Sequence, residues 1–149
     1  MSTIPRAPLL LGLAGLIPFL WGLVTTLLPE LGMQGAGLLG ARFVGPYIQL
    51  AYGQVILAFM SGVLWGFATK AEGREAALGY ALSTIPALWA FFMVGGGPVA
   101  AAVNLMAGFL GLLLLDRHFA RAGLAPEWWM RLRVLLTGIV LVCLAPVAL

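Results

Sequence analysis

His118 is the only histidine and Cys143 the only cysteine of the chain, and this alone removes several kinds of chemistry. One histidine cannot supply bis-histidine haem ligation or a multi-histidine metal site within the chain. A single thiol in an apolar run excludes an internal disulfide or a thiolate cluster, and Cys143 reads as a buried side chain. The serines Ser2, Ser61 and Ser83 have no base that spacing sets beside them, since His118 falls at the end of an apolar segment. Asp116 and Glu127 lie near Arg117, Arg121 and Arg131, a pattern of interfacial ion pairs rather than of a general acid and base. No catalytic, metal-binding or cofactor-binding residue is expected, and the chain reads as a non-enzyme.

Two amides, Gln54 and Asn104, fall deep in apolar segments, with Ser61 two turns from the first. A polar side chain facing lipid would lack partners, so these three are expected between helices, in interhelical bonds worth about 0.6–2 kcal/mol each. No Asp, Glu, Lys, Arg or His falls near the middle of a segment. Proton relays, voltage sensors and many ion-coupled transporters use such residues, which weighs against a pump.

The segments themselves define the class. Hydrophobic residues make up 62% of the 149 and charged ones 9%, with mean hydropathy +1.07, too little charge to cover a soluble domain. A span needs about 20 apolar residues, so a chain of this length holds about five and no soluble domain. Runs and breakers place them near residues 7–28, 47–68, 78–94, 98–115 and 126–149, giving one all-α transmembrane domain, a compact left-handed five-helix bundle. The first run exceeds the roughly 7–15 residues of a signal-peptide core and reads as an uncleaved span.

The connectors set orientation. Arg6, Lys70, Arg74, Arg117, Arg121, Arg131 and Arg133 fall on one side and Arg42 alone on the other. By the positive-inside rule the N-terminus is cytoplasmic and the C-terminus outside, with the bacterial inner membrane as the expected location. The same bias explains the net charge of +3 better than nucleic-acid binding does, because the basic residues form no aromatic-basic patch. Pro18 and Pro86 should kink the first and third spans, and Gly95-Gly96-Gly97-Pro98 should close a tight hairpin. Residues 116–121 should carry the fourth helix past the membrane to a terminating Gly123. Pro126 then starts the fifth, with Trp128 and Trp129 at headgroup depth and Arg131 and Arg133 snorkelling to the interface. With Arg117 and Arg121 these form the expected partner surface. Residues 29–46 read equally as an interfacial helix or an irregular loop.

Small and polar residues mark three packing faces. In the second span Tyr47, Ala51, Gln54, Ala58, Ser61 and Trp65 share a stripe, with Ala58, Gly62 and Gly66 as a small-xxx-small series. The fourth span repeats the spacing at Gly97, Ala101, Asn104, Gly108, Gly111, Leu115 and His118, and the first at Gly12, Gly15, Phe19, Gly22 and Thr26.

Tyr52-Gly53-Gln54-Val55-Ile56-Leu57-Ala58-Phe59 followed by Gly62-Val63-Leu64-Trp65-Gly66 resembles the second span of the transmembrane-protein-69-like family of small bacterial and mitochondrial inner-membrane proteins. Asp116-Arg117, the stretch Gly123-Leu124-Ala125-Pro126-Glu127-Trp128, Arg131-Leu132-Arg133 and Leu136-Thr137 fit the same pattern, as do Pro18-Phe19 and Ile85-Pro86. Ser61 stands where that pattern leads one to expect glycine. The resemblance implies a location and a fold; the family's biochemical role is unknown.

The leading expectation is a non-catalytic accessory or assembly component of a larger inner-membrane complex, plausibly respiratory or photosynthetic. It would bind lipids and other integral membrane proteins through its helix faces. The alternative is a small transporter or channel working as a homo-oligomer, with Gln54, Asn104 and Ser61 lining a path for a neutral or lipid-like solute. A membrane-embedded enzyme or quinone-binding protein comes third.

Overall fold

The computed structural model describes residues 2–149, and its regular elements are helical. They are α1 (Arg6–Ala14), α2 (Ile17–Leu27), α3 (Pro29–Leu39), a 3-10 turn (Ala41–Phe43), α4 (Tyr47–Ala68), α5 (Gly73–Ser83), α6 (Ile85–Met93), α7 (Pro98–Arg121) and α8 (Trp129–Ala148). Five stretches are long and apolar enough to cross a membrane: Arg6–Leu27, Tyr47–Ala68, Gly73–Met93, Pro98–Arg121 and Trp129–Ala148.

Two of these are broken where proline dictates. Pro18 and Pro86 have no N–H for the carbonyl four residues back, so α1 stops before α2 and α5 before α6. At the second break the hydroxyls of Ser83 and Thr84 donate to the carbonyls of Tyr80 and Ala81 at 2.7 and 2.8 Å, replacing lost backbone donors. The third span begins at Gly73 rather than near 78, because its first turn carries Arg74 and Glu75 and does not register as apolar. The fifth begins at Trp129, not Pro126, whose carbonyl instead accepts the Trp129 N–H at 3.0 Å in a turn.

Residues 29–39 of the uncertain connector are helical. Proline stands at the start of α3 and Glu30 in its first turn, and the helix ends at Gly40 with φ 98°. It folds back on α2, where the Trp21 indole donates to the Phe43 carbonyl at 2.8 Å. At the other end α7 runs unbroken to Arg121 and closes as a Schellman motif. The Gly123 N–H reaches the Ala120 carbonyl at 3.1 Å and the Leu124 N–H the Phe119 carbonyl at 3.0 Å, with Gly123 at φ 74°.

α7 is the centre of the bundle, packed by α8, α4 and α6, while α2 rests on α4 and α8. Phe19, Leu57, Leu64, Leu105, Phe109, Leu112, Phe119 and Leu144 are wholly buried there. Since lipid is as apolar as these side chains, close packing rather than the hydrophobic effect holds the helices together.

That packing corrects the expected seams. On α4 the buried residues are Gln49, Gly53, Leu57, Met60, Ser61, Leu64 and Ala68, whereas Tyr47, Ala51, Ala58 and Trp65 are exposed. Gly62 and Gly66 on α4 and Gly111 on α7 face open space, and a Cβ there would meet none of the described residues within 4 Å. The cause is large partners: Leu105 fills the room left at Gly53, and a Cβ on Gly108 would lie 2.8 Å from both Leu57 and Trp89. Gly12 and Gly15 do lie at a seam, the first against Leu136 and the second near the Tyr52 hydroxyl.

Candidate functional site

The polar residues expected between helices make structural bonds on one side of the bundle. Gln54 Nε2 donates to the carbonyls of Val94 at 2.9 Å and Ala90 at 3.3 Å, tying α4 to the end of α6. Ser61 Oγ accepts the Ala87 N–H at 2.8 Å, satisfying a donor that the restart of α6 leaves free. Asn104 takes part through its backbone carbonyl, which accepts the Trp89 indole at 2.7 Å, and its side chain is only half-buried. Gln54, Ser61 and Asn104 do not line the main cavity described below, so no common solute path joins them there.

A deeper polar cluster lies elsewhere. Arg133 is not at the interface: its Nε donates to Asp116 Oδ2 at 2.8 Å, with the two side chains 6% and 0% exposed. The Trp129 indole donates to Asp116 Oδ1 at 2.8 Å, so each carboxylate oxygen has its own donor. Arg117, Arg121 and Glu127 are exposed and form no ion pair among the described residues, where Asp116 pairs with Arg133 instead of with the arginines expected; Arg131 reaches the Ser2 carbonyl at 3.0 Å. The burial of Arg133 has a geometric origin. Asp116 precedes the connector between the two helices and Arg133 follows it by similar numbers of residues, so antiparallel α7 and α8 bring them level. A carboxylate and a guanidinium at matching depth on neighbouring helices will pair inward rather than face hydrocarbon singly. The similar spacing of the two charges about the connector is the sequence signal for this pair.

Gln49, a turn inside α4, is the most buried amide. Its Nε2 donates to the carbonyls of Phe19 at 3.0 Å and Cys143 at 2.9 Å, fastening the first, second and fifth spans at one crossing. Gly22 permits this approach, since a Cβ there would collide with Gln49.

Beside these clusters a cavity of about 690 Å³ opens between the first span, α4 and α8, with Phe109 of α7 contributing to its wall. This volume is in the range of about 300–1,000 Å³ that encloses a ligand of some tens of heavy atoms. Tyr52 and Phe67 both line it, fifteen residues apart on α4, so it runs about 22 Å along that helix. α1 leans on α8 but hardly touches α4, which leaves the long side open. Leu11, Val55 and Phe59 line the cavity while remaining 73%, 61% and 64% exposed, so they form the lips of a lateral mouth. Val55 and Phe59 are at mid-height on α4. Trp128, Trp129 and Pro126 line the end nearest the basic connectors, and Arg133 and Thr137 stand one helical turn apart in the wall. Nη2 of Arg133 and Oγ1 of Thr137 are buried with no hydrogen-bond partner among the described residues.

These features define a polytopic helical membrane protein with a lateral, lipid-facing cavity. The chain belongs to the family described as Protein of unknown function (DUF3429), whose pattern matches residues 4–149. It is similar to Transmembrane protein 69 of Xenopus tropicalis, at 34% identity over 144 residues that cover 89% of this chain and 50% of that protein. The chain thus spans about half the length of this curated relative. No solved structure matches it.

Proposed function

We propose that this protein is a non-catalytic, membrane-embedded binding component that takes one long-chain amphiphile sideways from the bilayer into the cavity between the first span, α4 and α8. The observation that carries the reading is the height of the mouth: Val55 and Phe59, its exposed lips, lie at the middle of a 22-residue span. At that depth the surroundings are acyl chain, so a water-soluble ligand has no route in, and the wall is apolar along nearly its whole length. The basic end, with Arg6, Lys70, Arg74, Arg117 and Arg121, is assigned to the cytoplasmic face of a bacterial inner membrane. Reporter fusions at Gly73 and at Leu149 are expected to report opposite sides, and a common side would contradict five crossings.

A test of binding uses bulk placed in the wall. Ile56 and Val63 are seven residues apart on one face of α4, half-buried, and both line the cavity. In native mass spectrometry from mild detergent, wild-type protein is expected to retain one lipid-like adduct. Ile56→Trp with Val63→Trp should reduce that retention several-fold without unfolding the bundle. Equal retention in both proteins would remove the cavity as the binding place.

A second reading, the assembly component, is favoured by the open ridge of Ala58, Gly62 and Gly66 on α4 and by Gly111 on α7. Small residues without a partner in the chain suit close approach by a helix of another membrane protein or of a second copy. Co-purification with a stoichiometric partner that is lost on Gly62→Leu would support it, and unchanged recovery would count against it.

A further inference from the structure

We propose that Arg133 and Thr137 form the head-group subsite of the cavity, and that its ligand is an uncharged long-chain amphiphile bearing a carbonyl acceptor. The inference rests on the amphiphile reading above and adds the chemistry of the head.

Three observations converge on it. Arg133 and Thr137 are one turn apart on the same face of α8 and both line the cavity wall. Nη2 and Oγ1 are buried and have no partner among the described residues, although donors held away from water normally find one. The charge at this point is already balanced, because Nε of the same guanidinium holds Asp116 Oδ2 at 2.8 Å. A phosphate or carboxylate would therefore bring an unmatched negative charge next to Asp116 in a medium of low dielectric. A carbonyl oxygen brings an acceptor and no charge. Seated at this wall it would offer that acceptor to the guanidinium N–H and the hydroxyl, while its apolar chain follows the wall toward Phe59 and Val55 at the mouth.

Carbonyls of this kind come from two sources in membranes, the esters of a neutral glyceride and the ring of an isoprenoid quinone. Both place an oxygen acceptor at the head of a long hydrocarbon, and the subsite as built does not require one over the other.

The test is competition for the purified full-length protein in nanodiscs, read by native mass spectrometry. The probes are dioleoylglycerol, its ether analogue with the same tails and no carbonyl, a long-chain ubiquinone, and dioleoyl phosphatidic acid. Wild-type protein is expected to retain the ester or the quinone about fivefold or more over the ether, the scale of one or two hydrogen bonds. Whichever of the two is retained identifies the source. Thr137→Val should weaken the carbonyl ligand about fivefold and leave the ether unchanged. Because the Thr137 hydroxyl bonds to none of the described residues, this isosteric change should leave the thermal midpoint of ligand-free protein unaltered.

Equal retention of ester, quinone and ether, preference for phosphatidic acid, or indifference to Thr137→Val would each overturn the proposal. If the tryptophan pair at Ile56 and Val63 still abolishes retention in those cases, the amphiphile reading stands and only the head-group assignment fails. Should that pair also have no effect, both fail together.

Discussion

Asp116→Ala is expected to destabilise the bundle by about 3–5 kcal/mol, the largest effect of any single substitution considered. The carboxylate is wholly buried, and its two oxygens accept from Arg133 and Trp129 at 2.8 Å each. Removing it strands a guanidinium and an indole N–H away from water, and the cost is that of the uncompensated groups rather than the worth of the pair. Arg133→Met should cost a similar amount, since it leaves the carboxylate behind. The double variant Asp116→Leu with Arg133→Met should recover most of the loss, because apolar replacement of a whole buried pair is often neutral or better. Thermal unfolding in detergent of the wild type, Asp116→Leu, Arg133→Met and the double variant checks this in one closed cycle. Losses that simply add in the double variant would mean that the two side chains do not act as a pair.

Gly108→Leu is the second large effect, expected at about 1–3 kcal/mol or somewhat above. A Cβ at this position already lies 2.8 Å from Leu57 and from Trp89, so a branched side chain has to displace the contact that joins α7 to α4 and α6. It would also disturb the Trp89 indole, which bonds the Asn104 carbonyl at 2.7 Å. Gly62→Leu makes the contrast. None of the described residues approaches a Cβ at Gly62, so in the isolated protein its cost should stay within about 0.5 kcal/mol. Equal loss at both positions in detergent-purified monomer would contradict the helix rotation described for α4.

What the sequence made legible is the framework along the chain. The number of spans follows from run length, the two breaks from Pro18 and Pro86, and the sharp ends from Gly123 and the glycines before Pro98. These features are local, and local sterics enforce them whatever the tertiary context. The azimuth of each helix was much less legible. α4 is apolar on nearly every side, so its stripe of small residues carried no contrast between protein and lipid. The stripe read from Tyr47 to Trp65 therefore shares only Ser61 with the fully buried set. Gln49 escaped notice because it lies near a span end, where a polar residue needs no explanation until Phe19 and Cys143 are seen beside it. Arg133 was read as an interfacial anchor for the same reason. The cavity was not legible at all, since it depends on how far α1 stands from α4, a distance that no spacing encodes.

The central claim is that the space between the first span, α4 and α8 holds an amphiphile drawn from the bilayer. A density map of the protein in lipid nanodiscs, at a resolution that separates acyl chains, tests it most directly. The account predicts one elongated density in this cavity, passing Leu11, Val55 and Phe59 at the mouth and placing its head beside Arg133 and Thr137. A first span closed against α4, with Leu11 packed on Val55 and Phe59 and no density between them, would contradict it.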